Sequence, residues 1–326
     1  MRIAVDAMGG DYAPRVVVQG AVQAAKRGGY QIILVGDEAR LRAEMKSYRS
    51  SSLPISIHHC SEVIGMDELP ATACRQKKDS SIMVATRLIK EGKADAMVSA
   101  GNSGAVMASA LMVLGRLPKV DRPAIAVWIP TLKGMVGLLD VGANVNSTAR
   151  DLLQFAVMGS IYMKTIMKKK VPRIGLLSIG VEEAKGDDVT VEANRLLRQS
   201  GLNFVGNIEG RDILKGKADV IVCDGFVGNI LLKFGEGIAE EFMNLFREEI
   251  LKYPLRKMAL MLFRGAFRDI KKKVDYAEYG GAPLLGVDGC SVICHGSSNA
   301  KAISNAIRVA GEFVEKRINQ QIKESL

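Results

Sequence analysis

The sequence predicts an α/β protein built on a largely parallel sheet with helices on both faces. Two observations lead there. Six apolar runs of strand length end in glycine and small polar residues, at 5–11, 98–104, 139–144, 177–180, 222–229 and 293–299. Strand-like and helix-like patterns also alternate almost throughout, which is how a parallel sheet covered by crossover helices reads. In open α/β sheets such turns gather at the carboxyl ends of strands, where ligands bind.

Period-two and fully apolar runs place strands at 3–5, 32–35, 55–58, 96–99, 124–129, 136–140, 174–178, 204–205, 220–223 and 292–294. Helical periodicity covers 14–27, 80–91, 104–114, 147–168, 189–199, 230–251 and 300–322. The runs 124–129 and 136–140 are separated by only six residues, so they form a hairpin within the otherwise parallel pattern. No repeat and no Pro- or Ser-rich linker divides the chain, so residues 1–326 read as one α/β domain. A helical hairpin over 230–274 elaborates it, with Pro254 setting the start of the second helix.

Composition narrows the function. With 48% hydrophobic and 25% charged residues the chain is globular rather than disordered. No run reaches the roughly 20 apolar residues a bilayer crossing needs. Five scattered cysteines, Cys60, Cys74, Cys223, Cys290 and Cys294, and the absence of a secretory leader fit free thiols in a reducing cytoplasm. A net charge of +10 suits an acidic partner, an anionic membrane or a phosphorylated substrate. Nucleic acid is disfavoured, because Trp128 is the one tryptophan and no strip of aromatic and basic residues offers stacking.

The basic residues concentrate between Arg247 and Lys273. There Met258, Met261, Leu262, Ala266 and Ile270 follow helical spacing, with Phe263 and Phe267 widening the apolar face and Arg256, Lys257, Arg264, Arg268, Lys271 and Lys272 around it. Such a helix either lies in the interface of an anionic bilayer or packs on a neighbouring helix or subunit.

The common catalytic motifs are missing. Neither G-x-G-x-x-G nor a P-loop occurs; the turn 101–104 lacks the lysine. His58 and His59 point to opposite faces of a strand, and Cys290, Cys294 and His295 form half a metal site with no second half, so no metal and no cofactor is expected. A Cys223–His295 nucleophile pair competes with the simpler reading of Cys223 as an inert buried thiol.

What remains is non-covalent anchoring of an anion. Asn102, Ser103, Asn144, Asn229, Ser297 and Asn299 stand where strand gives way to helix, able either to cap a helix or to hold phosphate oxygens. Lys185 lies between Gly180 and Gly186 directly after a strand, either as a surface lysine or as an ammonium beside an anionic transition state.

At these residues the sequence resembles the bacterial phosphate acyltransferases of phospholipid synthesis, which move a fatty acyl group from acyl carrier protein to inorganic phosphate. The likeness rests on the stretches 5–14, 99–104, 139–144, 180–186, 223–229 and 280–286, with 295–298, and spans nearly the whole chain. It implies a three-layer α/β/α sandwich similar to isocitrate and isopropylmalate dehydrogenases and to phosphotransacetylase. It also implies a cytoplasmic homodimer held peripherally on an anionic membrane, with acyl carrier protein and inorganic phosphate as partners. Lys185 and Asn229 match the positions expected to be catalytic. Asp6, Gly9, Gly10, Asn102, Ser103, Asn144, Asp224, Gly228, His295 and Ser297 carry over as phosphate or substrate lining, and Met258, Met261, Leu262, Phe263 and Phe267 as the membrane contact. Phosphate is already partly dianionic near neutral pH, its second pKa being roughly 6, so it needs no strong base to act as nucleophile. The competing readings are a short-chain phosphotransacetylase, a dehydrogenase of the same fold, and a membrane-surface scaffold that binds acyl carrier protein without catalysis.

Overall fold

The apolar runs assemble as β1 (Arg2–Asp6), β2 (Gln31–Gly36), β3 (Ile55–His59), β4 (Ala96–Ser99), β5 (Ala124–Thr131), β6 (Gly134–Leu139), β7 (Ile174–Leu177), β8 (Phe204–Ile208), β9 (Val220–Val222), β10 (Ala282–Leu285) and β11 (Ser291–Ile293). In the computed structural model, which describes residues 1–48, 52–131, 133–253, 265 and 280–326, they form one sheet in the order β3-β2-β1-β4-β11-β10-β5-β6-β9-β7-β8. The pairings β10–β11, β10–β5 and β5–β6 are antiparallel and the others parallel.

Alternation along each strand sorts the side chains between two cores. Val5, Val98, Val292, Ala126, Leu139 and Val222 face one side, under α1 (Arg15–Arg27), α2 (Glu38–Met45), α6 (Ala149–Thr165), α7 (Asp188–Gln199), α9 (Ala300–Glu315) and α10 (Ile318–Ser325). Ala4, Met97, Ile293, Ile125, Leu138 and Ile221 face the other, under α3 (Pro70–Gln76), α4 (Ser81–Lys90), α5 (Ser103–Ser109) and the first turns of α8 (Gly225–Leu251). The result is the expected three-layer α/β/α sandwich.

Several boundaries differ from expectation for local reasons. The helix read as 104–114 passes from α5 into a π-helical turn at Ala110–Leu114 and stops at Gly115, where φ is 85°. The helix read as 300–322 breaks at Arg317, whose left-handed φ of 53° separates α9 from α10. The β5–β6 hairpin is tighter than expected, since Thr131 pairs with Gly134 and most of the supposed connection is strand.

The antiparallel pairings have a larger consequence. They leave β1–β5 and β11 running one way and β6–β10 the other, so the six glycine turns do not share one edge of the sheet. The turns after β1, β4 and β11 form one group, and those after β6, β7 and β9 another.

Of the expected hairpin, α8 is seen as its first helix, and from Lys233 to Glu249 every residue is exposed. Met258, Met261, Leu262, Phe263 and Phe267 lie outside the described residues. Among the described residues, no helix is long and apolar enough to cross a membrane.

Candidate active site

Each group of turns is organised by a buried aspartate. At the end of β1, Asp6 is fully buried and accepts from the amides of Met8 (3.1 Å) and Gly9 (3.0 Å) and from Ser99 Oγ (2.6 Å). The Gly101 amide in turn donates to Ser99 Oγ at 3.0 Å. Glycine is required at position 9, because a Cβ there would strike the Asp6 carboxylate and approach the Gly101 nitrogen to 2.7 Å. The Asp11 amide donates to the Gly296 carbonyl at 2.9 Å, which ties the turn after β1 to the turn after β11. Burial pushes the Asp6 carboxyl above its ordinary pKa, and the Ser99, Met8 and Gly9 donors oppose that shift.

Asp140 plays the same part after β6. It accepts from the amides of Ile125 (3.0 Å), Ala143 (3.0 Å) and Asn144 (2.7 Å) and from Asn144 Nδ2 (2.9 Å). Burial raises its pKa too, against these donors. Asn144 Nδ2 also donates to the Pro123 carbonyl at 2.7 Å. Asp224 caps α8 through the Phe226 amide and reaches the Ser147 amide, both at 2.8 Å. A Cβ at Gly228 would collide with the Asp140 carbonyl and come within 2.9 Å of Cys223 Sγ, so α8 is packed tightly against the β6 turn there.

The short strand β10 brings the two groups together. Ala282 pairs with Ile293 at the end of β11, and Leu285 pairs with Ala124 at the start of β5. The Val141 amide donates to the Ile125 carbonyl, placing the end of β6 beside that same start of β5. Three residue steps of roughly 3.3 Å therefore separate the two groups, about 10 Å in all. Above this crossing lies a cavity of about 440 Å³. Its polar lining comprises Asp11, Ser103, Asn229, Lys233, Glu236 and His295, with backbone from Gly101, Gly142 and Gly296. Met66, Ile125, Val127, Val141, Leu232 and Ile293 supply its apolar wall.

Of the residues singled out from sequence, Ser103, Asn229 and His295 line this cavity together. His295 Nδ1 accepts from the Ser297 amide at 3.2 Å and is 2.7 Å from Ser297 Oγ. The neutral ring therefore carries its proton on Nε2, assigned from the hydrogen-bond network. Asp6, Asn144 and Asp224 shape the turns through the bonds above. Asn102 caps α5 through the Ala105 amide at 3.0 Å and braces a neighbouring loop with its Nδ2. Gly9, Gly10 and Gly228 permit close backbone approach, with Gly10 at a φ of 103°. Lys185 stands apart on the exposed loop after β7, the strand beside β9, and is not part of the cavity wall. Ser178 Oγ holds the Lys185 carbonyl at 2.7 Å.

The alternative chemistries find little here. Cys223 is buried with its thiol pKa raised, and Sγ lies 3.5 Å from the Asp140 carbonyl. Cys294 borders the cavity, but burial pushes its thiol up to about 12, far from a thiolate at neutral pH. Among the described residues, no group of three His, Cys, Asp or Glu side chains is placed to hold a metal ion.

Asp11, Lys233 and Glu236 escaped the sequence reading. Lys233 and Glu236 sit in a long amphipathic pattern, where charges read as a solvated face. The available signal was spacing, since positions 232, 233 and 236 follow Asn229 at i+3, i+4 and i+7 and so share its helix face.

Residues 1–321 match the family model described as "Fatty acid synthesis protein". The chain is 53% identical over its whole length to a protein named phosphate acyltransferase from Trichlorobacter lovleyi, covering 94% of that relative. It is 55% identical, again over its whole length, to one of the same name from Pelotomaculum thermopropionicum, covering 95% of it. In fold it is similar to a phosphotransacetylase from Streptococcus pyogenes, with a TM-score of 0.68, 17% identity, and coverage of 97% of this chain and 94% of that one. A family match over nearly the full length and relatives more than half identical from end to end place this chain in the fatty acid synthesis protein family, among the phosphate acyltransferases.

Proposed function

We propose that the enzyme transfers a long-chain fatty acyl group from acyl carrier protein to inorganic phosphate, releasing acyl phosphate. The observation that carries this reading is one cavity whose wall combines anion-suited groups with apolar side chains. Asn229, Lys233, His295 and Ser103 supply the first, beside the carboxylates Asp11 and Glu236, and Met66, Ile125, Val127 and Ile293 the second.

A phosphate oxygen attacks the thioester carbonyl carbon and forms the new C–O bond. The tetrahedral oxyanion collapses, the C–S bond breaks, and the carrier thiol leaves with a proton from solvent or from the phosphate. No covalent enzyme intermediate is involved, in keeping with the high thiol pKa of Cys294. Catalysis is then positioning and charge stabilisation. Asn229 donates a hydrogen bond to phosphate or to the oxyanion. Lys233 neutralises the anion from the cavity wall, and Lys185, outside that wall on the exposed loop after β7, does so only when that loop moves in over the bound anion. The aspartate-braced turns hold their amides in place.

The same reading makes the protein a cytoplasmic homodimer on an anionic membrane surface. In its support, α8 exposes Phe226, Ile230, Phe234, Ile238, Phe242 and Phe246, one apolar residue every fourth position. The 258–267 segment supplies the membrane-facing residues. A net charge of +10 favours encounter with an acidic carrier protein.

The test is to incubate the enzyme with acyl carrier protein bearing a palmitoyl group, with and without phosphate, and follow thioester loss and acyl phosphate. Phosphate-dependent formation of acyl phosphate is expected, reduced by Asn229→Ala, Lys233→Ala and Lys185→Ala. Binding of the carrier with no phosphate-dependent thioester loss would leave only the scaffold.

A further inference from the structure

Asn102 is 7% exposed and directs its Nδ2 to the carbonyls of Gly65 (3.2 Å), Met66 (3.2 Å) and Glu68 (3.1 Å). The loop it holds is clamped further. Glu68 accepts from the Gly65 amide at 2.6 Å, and Lys77 bridges Glu68 (2.6 Å) and the Val63 carbonyl (2.9 Å). So much fixation of a surface loop normally serves a polar contact, yet this loop presents Met66 and Leu69, which are 52% and 74% exposed. Met66 also borders the cavity, where a Cβ on Gly296 would lie 3.1 Å from its Cε. Its thioether thus arches over the turn that carries His295.

We propose that residues 65–69 form the lip that grips the acyl chain next to the thioester, with Met66 setting chain-length preference and Asn102 positioning it. The inference rests on the acyl-transfer reading above. An alkyl chain in the cavity meets the strand residues Ile125, Val127 and Ile293 and the half-exposed Met66, with Leu69 exposed on the same loop. A lip already fixed before binding loses little entropy on closing over the chain. A methionine side chain adapts to an alkyl surface without demanding one geometry.

Three variants test this, read as the ratio of kcat/KM for palmitoyl to that for butyryl acyl carrier protein. Met66→Ala removes the contact, and the ratio should fall about tenfold, the lower end of what burying a methionine side chain confers. Asn102→Asp keeps a good α5 cap but cannot donate to the three carbonyls, so it should lower the ratio as much. If Asn102 acts through Met66, the double variant should fall no further than Met66→Ala alone. A merely structural defect in Asn102→Asp would lower both substrates together and leave the ratio unchanged. An unchanged ratio in Met66→Ala, with the wild type forming acyl phosphate, overturns the proposal and leaves acyl transfer standing. A shift in Met66→Ala but not in Asn102→Asp removes Asn102 from it. Absence of acyl phosphate with the wild type overturns the acyl-transfer reading and this proposal with it.

Discussion

Gly142 and Asn229 face each other across the junction of the β6 turn with α8: a Cβ built on Gly142 would lie 3.4 Å from Cγ of Asn229. Gly142 also has a φ of 118°, a conformation other residues adopt only with strain. Gly142→Ala should therefore cost about 1–3 kcal/mol of stability, through the strained turn and not through the Asn229 contact, which is ordinary packing distance. In Asn229→Ala, acyl phosphate formation should drop at least tenfold. Thermal unfolding and the phosphate-dependent assay check the two effects separately, and activity equal to wild type would detach Asn229 from the reaction.

Asp212 offers a pH test away from the site. Lys215 (2.8 Å) and Lys217 (2.7 Å) hold its carboxyl down at about 2. A depressed carboxylate pKa adds stability above the unfolded value of roughly 3.9, and that stability is lost as pH falls through the folded one. Denaturant unfolding of wild type and Asp212→Asn should thus differ at pH 6 and converge towards pH 2. A gap constant across that range would contradict the ion pairs.

Trp128 lies against a residue with no side chain. It pairs with Gly137 across the β5–β6 hairpin, and a Cβ there would meet the indole ring, while the ring's stack on Tyr162 (4.6 Å, 11°) leaves it little room to retreat. Gly137→Ala should destabilise the protein by about 1–3 kcal/mol and alter the emission of the one tryptophan. Calorimetry and fluorescence on the same sample provide the check.

The exposed stripe of α8 and the basic segment after it should separate by mutation. Ile238→Glu should slow self-association, seen as a shift towards monomer in sedimentation velocity, and leave flotation with anionic vesicles intact. Leu262→Glu or Phe263→Glu should do the reverse. Loss of vesicle binding in Ile238→Glu alone would assign the stripe to the membrane instead.

Much of the framework was legible in the sequence because strand and helix periods are strong there. All six glycine turns follow strands, and the two cores follow from alternation. β10 was not legible, being four residues long, containing Pro283 and sitting directly behind Gly280-Gly281. Its absence hid the reversal of strand direction, and with it the way two opposed groups of turns reach one cavity. Residue type also says little about which way a polar side chain turns. Asn102 and Asn144 read as caps or ligands from their positions, and only the donors and acceptors around them show that their amides are engaged by the protein itself.

One rod joins chemistry to surface. α8 carries Asn229 and Lys233 at the cavity and Phe242 and Phe246 on its open flank, with Asn229 and Phe246 about 25 Å apart at 1.5 Å per residue. Whatever grips the outer turns sets the tilt of the same body that places the Asn229 amide at the cavity. By reciprocity, any influence of a grip on the outer turns upon substrate affinity at the inner end is matched by an equal influence in the other direction, and α8 spans both places.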